Sequence, residues 1–171
     1  MKKLKTDNLM HIALDWAVAE ASRQDYPWMK TYLSKSGRLM TANYGEFDPR
    51  KGVPFYQPSQ NWNEGGYIIE REKIGFWFVH ECVDEDGKIE RAEQWYAEYA
   101  YTEETADSTY HFSTGPTPLI AAMRCYVLCK LGEEVTLPDD IAKAQVVIER
   151  RFAKLAKKYG RVLDKDGRWV G

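Results

Sequence analysis

Three groups of residues have the types and spacing to do chemistry. The first is Asn61-Trp62-Asn63-Glu64-Gly65-Gly66. Adjacent glycines let a backbone approach a partner closely or take positive φ. Asn61 and Asn63 offer amides to a polar ligand, and Trp62 offers a ring to stack on it. A plainer reading carries more weight: a structural loop in which Trp62 plugs the core and the asparagines bond their own backbone. No Lys-Ser/Thr pair follows the glycines, so the stretch is not a phosphate-binding loop.

The second group is Glu70-Arg71-Glu72, with Arg124 as a candidate neighbour. Carboxylates lining a cleft could do acid–base work or hold a metal. A scaffold ion pair between one of them and a buried Arg124 is favoured, because no histidine or second carboxylate pair accompanies them. The third is Cys125 and Cys129, one helical turn apart, which with Cys82 and a histidine have the donors for zinc. The short Cys-x-x-Cys spacing is absent, and cysteine is an ordinary buried residue, so packing is the expectation and no metal site is assigned. His11, His80 and His111 are scattered outside any Ser/His/Asp or Cys/His arrangement. No catalytic residue is assigned and no cofactor is expected.

Charge is unevenly spread along the chain. Residues 81–107 carry ten acidic side chains against Lys88 and Arg91, while residues 141–171 carry nine basic ones against Glu149, Asp164 and Asp166. An acidic hairpin with interleaved Trp95, Tyr96 and Tyr99 suits imitation of nucleic acid or docking on a basic protein, and its candidate patch is Glu85, Glu90, Glu93 and Trp95. The basic helix has the charge to meet an acidic partner, or nucleic acid through its phosphates. Two solvated faces would give the same pattern, and they are the favoured account.

The element that must position these residues is Ser113–Gly132. Thr117 is a good N-cap, Pro118 fits the first helical position, and Gly132 supplies a left-handed stop. Between them runs a helix that is apolar almost all round and therefore buried, with Arg124 as its one central charge. The N–H groups of its start favour anions, which makes Thr117 a second wall for a ligand held by the glycine loop.

The remaining elements follow from periodicity. A first helix capped at Thr6 or Asp7 runs to about Ser22, with Asp15 pointing outward. A short helix around Trp28, Tyr32 and Leu33 follows Pro27, then a strand from Leu39 to Tyr44 and an irregular loop over Asp48–Pro54. Residues 55–72 form a long loop ending in a strand or extended turn. Residues 73–83 and 89–101 alternate as two strands around a turn at Asp84–Gly87, and Thr109–Ser113 forms a third. After Pro138 an amphipathic helix runs to Tyr159, with a stripe of Ile141, Ala144, Ile148, Phe152, Leu155 and Tyr159, and the tail forms a small hairpin. The fold class is α+β: an antiparallel meander packed by the N-terminal helix and the buried core helix, with an additional C-terminal amphipathic helix. The expected division is a domain over residues 1–137 and a helical extension over 138–171 packed on it.

Composition sets the outer limits. With 171 residues, 44% hydrophobic and 29% charged, the chain is globular rather than disordered. A net charge of -2 argues against a general nucleic-acid binder, so nucleic acid enters only through the basic C-terminal helix. Three cysteines, two of them in a buried helix, fit a reducing compartment. Met-Lys-Lys-Leu-Lys leads into no continuous apolar run, and no segment approaches the ~18 apolar residues of a membrane span. The expectation is a cytoplasmic protein without membrane contact.

Three segments in this order carry a resemblance: Leu14-Asp-Trp-Ala-Val-Ala-Glu-Ala21, Gln57-Pro-Ser-Gln-Asn-Trp-Asn-Glu-Gly-Gly-Tyr-Ile-Ile-Glu-Arg-Glu72 and Gly115-Pro-Thr-Pro-Leu-Ile-Ala-Ala-Met-Arg-Cys-Tyr-Val127. They resemble the phage NinX-like family over roughly residues 9–138, with the lysine-rich last helix and tail as an addition. The resemblance implies a phage or prophage origin, hence the cytoplasm of an infected bacterium, and a small α+β domain. It brings no catalytic residues. The leading expectation is a non-catalytic accessory protein that binds a host macromolecule, a host protein above all, in counter-defence or host takeover. The alternative is a protein that sequesters a small molecule or nucleotide through the 61–66 loop and the helix start at Thr117. The candidate ligand- or partner-binding residues are Asn61, Trp62, Asn63, Gly65, Gly66, Glu70, Thr117 and Arg124.

Overall fold

The computed structural model describes residues 1–42, 55–83, 89–91, 93–101, 109–158, 162–163 and 169–170. Strand β1 (Lys2–Lys5) leads through a single 3-10 turn at Thr6–Asn8 into helix α1 (His11–Ser22). Contrary to the sequence expectation, neither Thr6 nor Asp7 caps that helix; the residue at its N-cap is Met10. Thr6 is buried and donates to the Gly132 carbonyl at 2.7 Å, while Asp7 accepts from the Ser113 hydroxyl at 2.7 Å. Both residues tie the N-terminus to distant segments instead.

The outward placement of Asp15 is also overturned. Its side chain is only 2% exposed, because α1 is buried on two faces rather than one. Leu14, Ala17, Val18 and Ala21 lie on one side of the helix and Ile12, Asp15 and Ala19 on the other, and both sides are buried.

In place of a short helix after Pro27, strands β2 (Lys30–Leu33) and β3 (Leu39–Ala42) form a hairpin with Lys30 opposite Ala42 and Leu33 opposite Leu39. Thr31 and Tyr32 favour extended backbone, and Gly37, at φ 75°, supplies the turn residue that makes the hairpin close. The expected irregular loop at 48–54 lies outside the described residues.

The long loop expected over 55–72 is largely helical: α2 spans Trp62–Glu72. Asn61 is its N-cap, accepting from the Asn63 N–H at 3.0 Å, and Lys73 ends it in the left-handed region at φ 57°. Two glycines at low helix propensity disguise the segment. Gly65 is there because nothing larger fits: a β-carbon would run into the Pro58 carbonyl and lie 2.7 Å from a Leu119 methyl.

The meander follows as expected. Strands β4 (Gly75–Val79), β5 (Cys82–Val83), β6 (Ile89–Arg91), β7 (Gln94–Tyr101) and β8 (Thr109–Gly115) pair antiparallel. β4, β7 and β8 form a three-stranded sheet in that order, and β5 with β6 makes a separate tip hairpin. The turn at 84–87 lies outside the described residues. Helix α3 (Pro118–Leu131) then crosses the sheet, with every residue from Leu119 to Val127 buried. Thr117 caps it, accepting from Ile120 N–H at 3.2 Å, and Gly132 ends it at φ 90°.

An element not expected from sequence comes next. Strand β9 (Glu134–Leu137) pairs antiparallel with β1, Lys2 opposite Leu137 and Lys5 opposite Glu134. Val135 and Leu137 point inward, Glu134 and Thr136 outward. Helix α4 (Asp139–Lys158) packs on α1: Ile141 joins the core, the Gln145 side chain accepts from the Ala13 N–H at 3.3 Å, and Phe152 stacks on His11 at 4.7 Å. Leu155, expected in the buried stripe, is exposed. Two short strands, β10 (Val162–Leu163) and β11 (Trp169–Val170), form the expected tail hairpin. The chain is thus α+β, with α1 and α3 as the layer against which the sheet, α2 and α4 are placed.

Candidate ligand pocket

Helix α2 presents Asn63, Glu64, Tyr67, Ile68 and Arg71 on one face, the three-and-four spacing of a single helical stripe. That face looks toward the end of α1 and the turns after it, and between them lies a pocket of about 280 Å³. Ser22, Tyr26, Met29 and Tyr56 complete its lining. Ile68 and Met29 are buried at its base, Tyr56 is half-buried, and Tyr67 stands exposed at its rim.

Arg71 closes one end, and its surroundings hold it charged. Its Nε donates to Glu72 at 2.7 Å, its Nη2 donates to the Tyr126 hydroxyl at 3.1 Å, and Asp25 lies 3.6 Å away. The rings of Tyr26, Tyr67 and Tyr126 lie 5.3, 5.8 and 6.0 Å from the guanidinium carbon. Burial alone would lower the pKa of Arg71, but the Glu72 and Tyr26 hydrogen bonds outweigh it and raise it. Glu72 shows the complementary shift. Burial would raise its pKa, yet the Tyr99 hydroxyl at 2.8 Å, Arg71 and Lys130 at 3.6 Å together hold it below the usual carboxylate range.

The opposite wall is fixed by Asp15. Its Oδ1 accepts from the Ser59 N–H at 2.9 Å, which pins the 56–60 turn, and Tyr56 with it, onto α1. Burial pushes the Asp15 carboxyl up to about 7, against the lowering effect of the Ser59 hydrogen bonds. Glu64 accepts from the Gln57 N–H at 2.6 Å, and burial raises its pKa as well. Burial likewise raises Tyr56 and Tyr126, so both remain neutral phenols that can donate.

The sequence-expected residues scatter across this architecture. Asn63 lines the pocket. Asn61 caps α2, and Gly65 lets α2 sit against Pro58 and Leu119, so the 61–66 segment does meet the first turn of α3. Gly66 lies beside the Trp62 ring. Trp62 neither plugs the core nor enters the pocket: it is 52% exposed, with its ring tilted against Phe76 at 6.1 Å. Thr117 is occupied in capping α3. Glu70 is exposed, and the arginine set on Glu72 is its neighbour Arg71. Arg124 is buried and donates to the carbonyls of Leu9 at 2.9 Å and Thr114 at 2.7 Å, a scaffold role. Of the acidic patch, Glu93 is exposed and the side chains of Glu85 and Glu90 lie outside the described set. Trp95 turns inward, against Phe76 and Phe78. Burial raises the thiol pKa of Cys125, to about 12, and of Cys129. Among the described residues no group of three or more His, Cys, Asp or Glu gathers at metal-binding range.

Sequence reasoning missed Ser22, Tyr26, Met29, Tyr56, Tyr67 and Ile68. The signal was the stripe Asn63, Tyr67, Arg71, visible only once 62–72 is read as a helix. The whole lining lies within residues 5–130, which match the family model described as Bacteriophage P22, NinX. The chain belongs to the NinX family. A comparison with curated proteins finds no match. The NinX match ends at the last turn of α3, so β9, α4 and the tail hairpin lie beyond it. Among the described residues no helix is long and apolar enough to cross a membrane.

Proposed function

We propose that this NinX-family chain is a phage accessory protein that binds a small planar, anionic molecule, of nucleotide size and chemistry, between α1 and α2. The observation that carries the reading is the pocket itself: three tyrosines and a charged arginine around about 280 Å³. That volume sits at the lower edge of ordinary small-ligand sites, which run from about 300 Å³ upward. Tyr26, Tyr56 and Tyr67 supply faces on which a base stacks. Asn63 and the raised-pKa Glu64 supply donors and acceptors for its polar edge. Arg71 supplies the positive end for a phosphate, with the partly exposed Asp25 as the carboxylate that gives way. Nothing in this arrangement activates a nucleophile, so the reading is binding and sequestration, in the cytoplasm of an infected bacterium.

Isothermal titration of AMP, GMP, UMP and a cyclic dinucleotide into the full chain tests the proposal. At least one should bind, and Arg71→Met and Tyr67→Ala should each weaken it by about 10-fold or more, the cost of one charge-assisted contact or one stacking partner. Binding that survives both substitutions unchanged, or no binding by any of the four, would overturn it.

A further inference from the structure

Antiparallel pairing fixes which side chains share each face of the three-stranded sheet. Trp77 pairs with Tyr96, Gly75 with Glu98, Glu98 with Phe112, and Ala100 with Tyr110. These stand on the face turned away from α3, since the alternate residues Ala97 and Tyr99 are the buried ones. Trp77 is 41% exposed, Phe112 51% and Tyr110 54%. They are organised rather than scattered: Trp77 stacks on Tyr96 at 5.9 Å and 16°, and Tyr110 on Phe112 at 6.3 Å and 20°.

Glu98 stands between the two stacks. Among the described residues no hydrogen bond or ion pair reaches its carboxylate. On the β4 side its neighbour is Gly75, where an added β-carbon would meet nothing within 4 Å, so the space beside the carboxylate is open. The face carries no lysine or arginine at any described position of β4, β7 or β8, and Glu81 is exposed just beyond the end of β4. None of these residues lines the pocket.

We propose that this face docks a protein that presents a lysine or arginine, with the cationic head on Glu98 and the methylene stem between the Trp77–Tyr96 and Tyr110–Phe112 pairs. Aromatic rings attract a cation over their faces, and a carboxylate among them supplies the charge. Stacked rings left in water on a sheet face are the ordinary mark of a partner surface. Nucleic acid and anionic lipid would bring their phosphates against Glu98.

The test is fluorescence anisotropy of the full chain with a labelled hexa-arginine peptide, beside labelled oligo-dT and phosphatidylserine vesicles. The peptide should bind, and Glu98→Gln and Trp77→Ala should each weaken it by about 10-fold. Glu133→Gln, the same charge change at an exposed position before β9, should leave it within about 2-fold, which separates the site from net charge. Glu98→Gln preserves shape and decides the matter alone if Trp77→Ala loosens β4. Equal effects of Glu98→Gln and Glu133→Gln, unaltered binding by both sheet variants, or tighter binding of oligo-dT or vesicles would each overturn the proposal.

Discussion

The surroundings of Arg124 and of Arg71 answer the same problem, a positive charge taken partly or wholly out of water, in different ways. Arg124 sits inside α3 and donates to backbone carbonyls of Leu9 and Thr114, which are fixed in place and cannot titrate. Arg71 sits at the surface of α2 and is held by side chains: Glu72, Asp25, Tyr126 and the aromatic rings around them. Carbonyl acceptors join three segments of chain into one scaffold. Among the acceptors around Arg71, Asp25 is 40% exposed and can move aside when a ligand arrives. The proposed pocket thus rests on the arginine held by side chains, and not on the more deeply buried one.

Removing each arginine is the sharpest way to break this contrast. Arg124→Met should lose about 3–5 kcal/mol in urea unfolding, since two charged hydrogen bonds disappear and the Leu9 carbonyl remains buried. Arg71→Met should lose about 1 kcal/mol or less, because Glu72 keeps Tyr99 and Lys130 and the other carboxylate, Asp25, is open to water. Comparable losses in the two variants would erase the distinction between scaffold and site.

Asp15 extends the comparison to a buried acid. Its pKa stands at about 7 in the folded chain against 3.8 as the ordinary value, so between those limits the folded state holds a proton that the unfolded state has released. Stability should therefore fall as pH rises from about 4 to 7 and level off above. Asp15→Asn can still accept from the Ser59 N–H and should flatten this dependence relative to the native chain. At pH 8 it should be more stable by an amount on the order of 2–4 kcal/mol. A thermal-melting series from pH 4 to 8 reads this directly, and parallel curves for the two proteins would exclude the buried acid as their source.

Gly65→Ala gives a smaller effect that links scaffold to pocket. The added methyl forces α2 away from the Pro58 carbonyl and Leu119, at a cost of about 1–3 kcal/mol. Nucleotide affinity should drop with it, because Asn63, Tyr67 and Arg71 ride on the same helix. Unchanged affinity in the titration would separate the seating of α2 from the pocket.

Much of the fold was legible residue by residue. The α3 boundaries follow from Thr117, Pro118 and Gly132, whose local chemistry starts and stops a helix wherever it lies. The meander follows from alternation, and the long α4 from its stripe. The misreadings at 62–72, 30–33 and Asp15 share another cause. In α2, two glycines lower helix propensity, and Gly65 is required by its contact with Pro58 and Leu119, a constraint that local pattern does not contain. At Lys30–Leu33 the hairpin partner decided the conformation.

The sequence by itself determined the class, the buried helix, the run of antiparallel strands and the family resemblance, because each can be read from patterns along the chain. Only the tertiary structure decided the rest: that β9 closes on β1 more than a hundred residues away, that Asp15 faces inward to Ser59, that Arg71 rather than Arg124 meets Glu72, and that Tyr26, Tyr56 and Tyr67 converge. These depend on which surfaces are brought together. The free energy of burial is a property of the pair of surfaces and not of either segment alone.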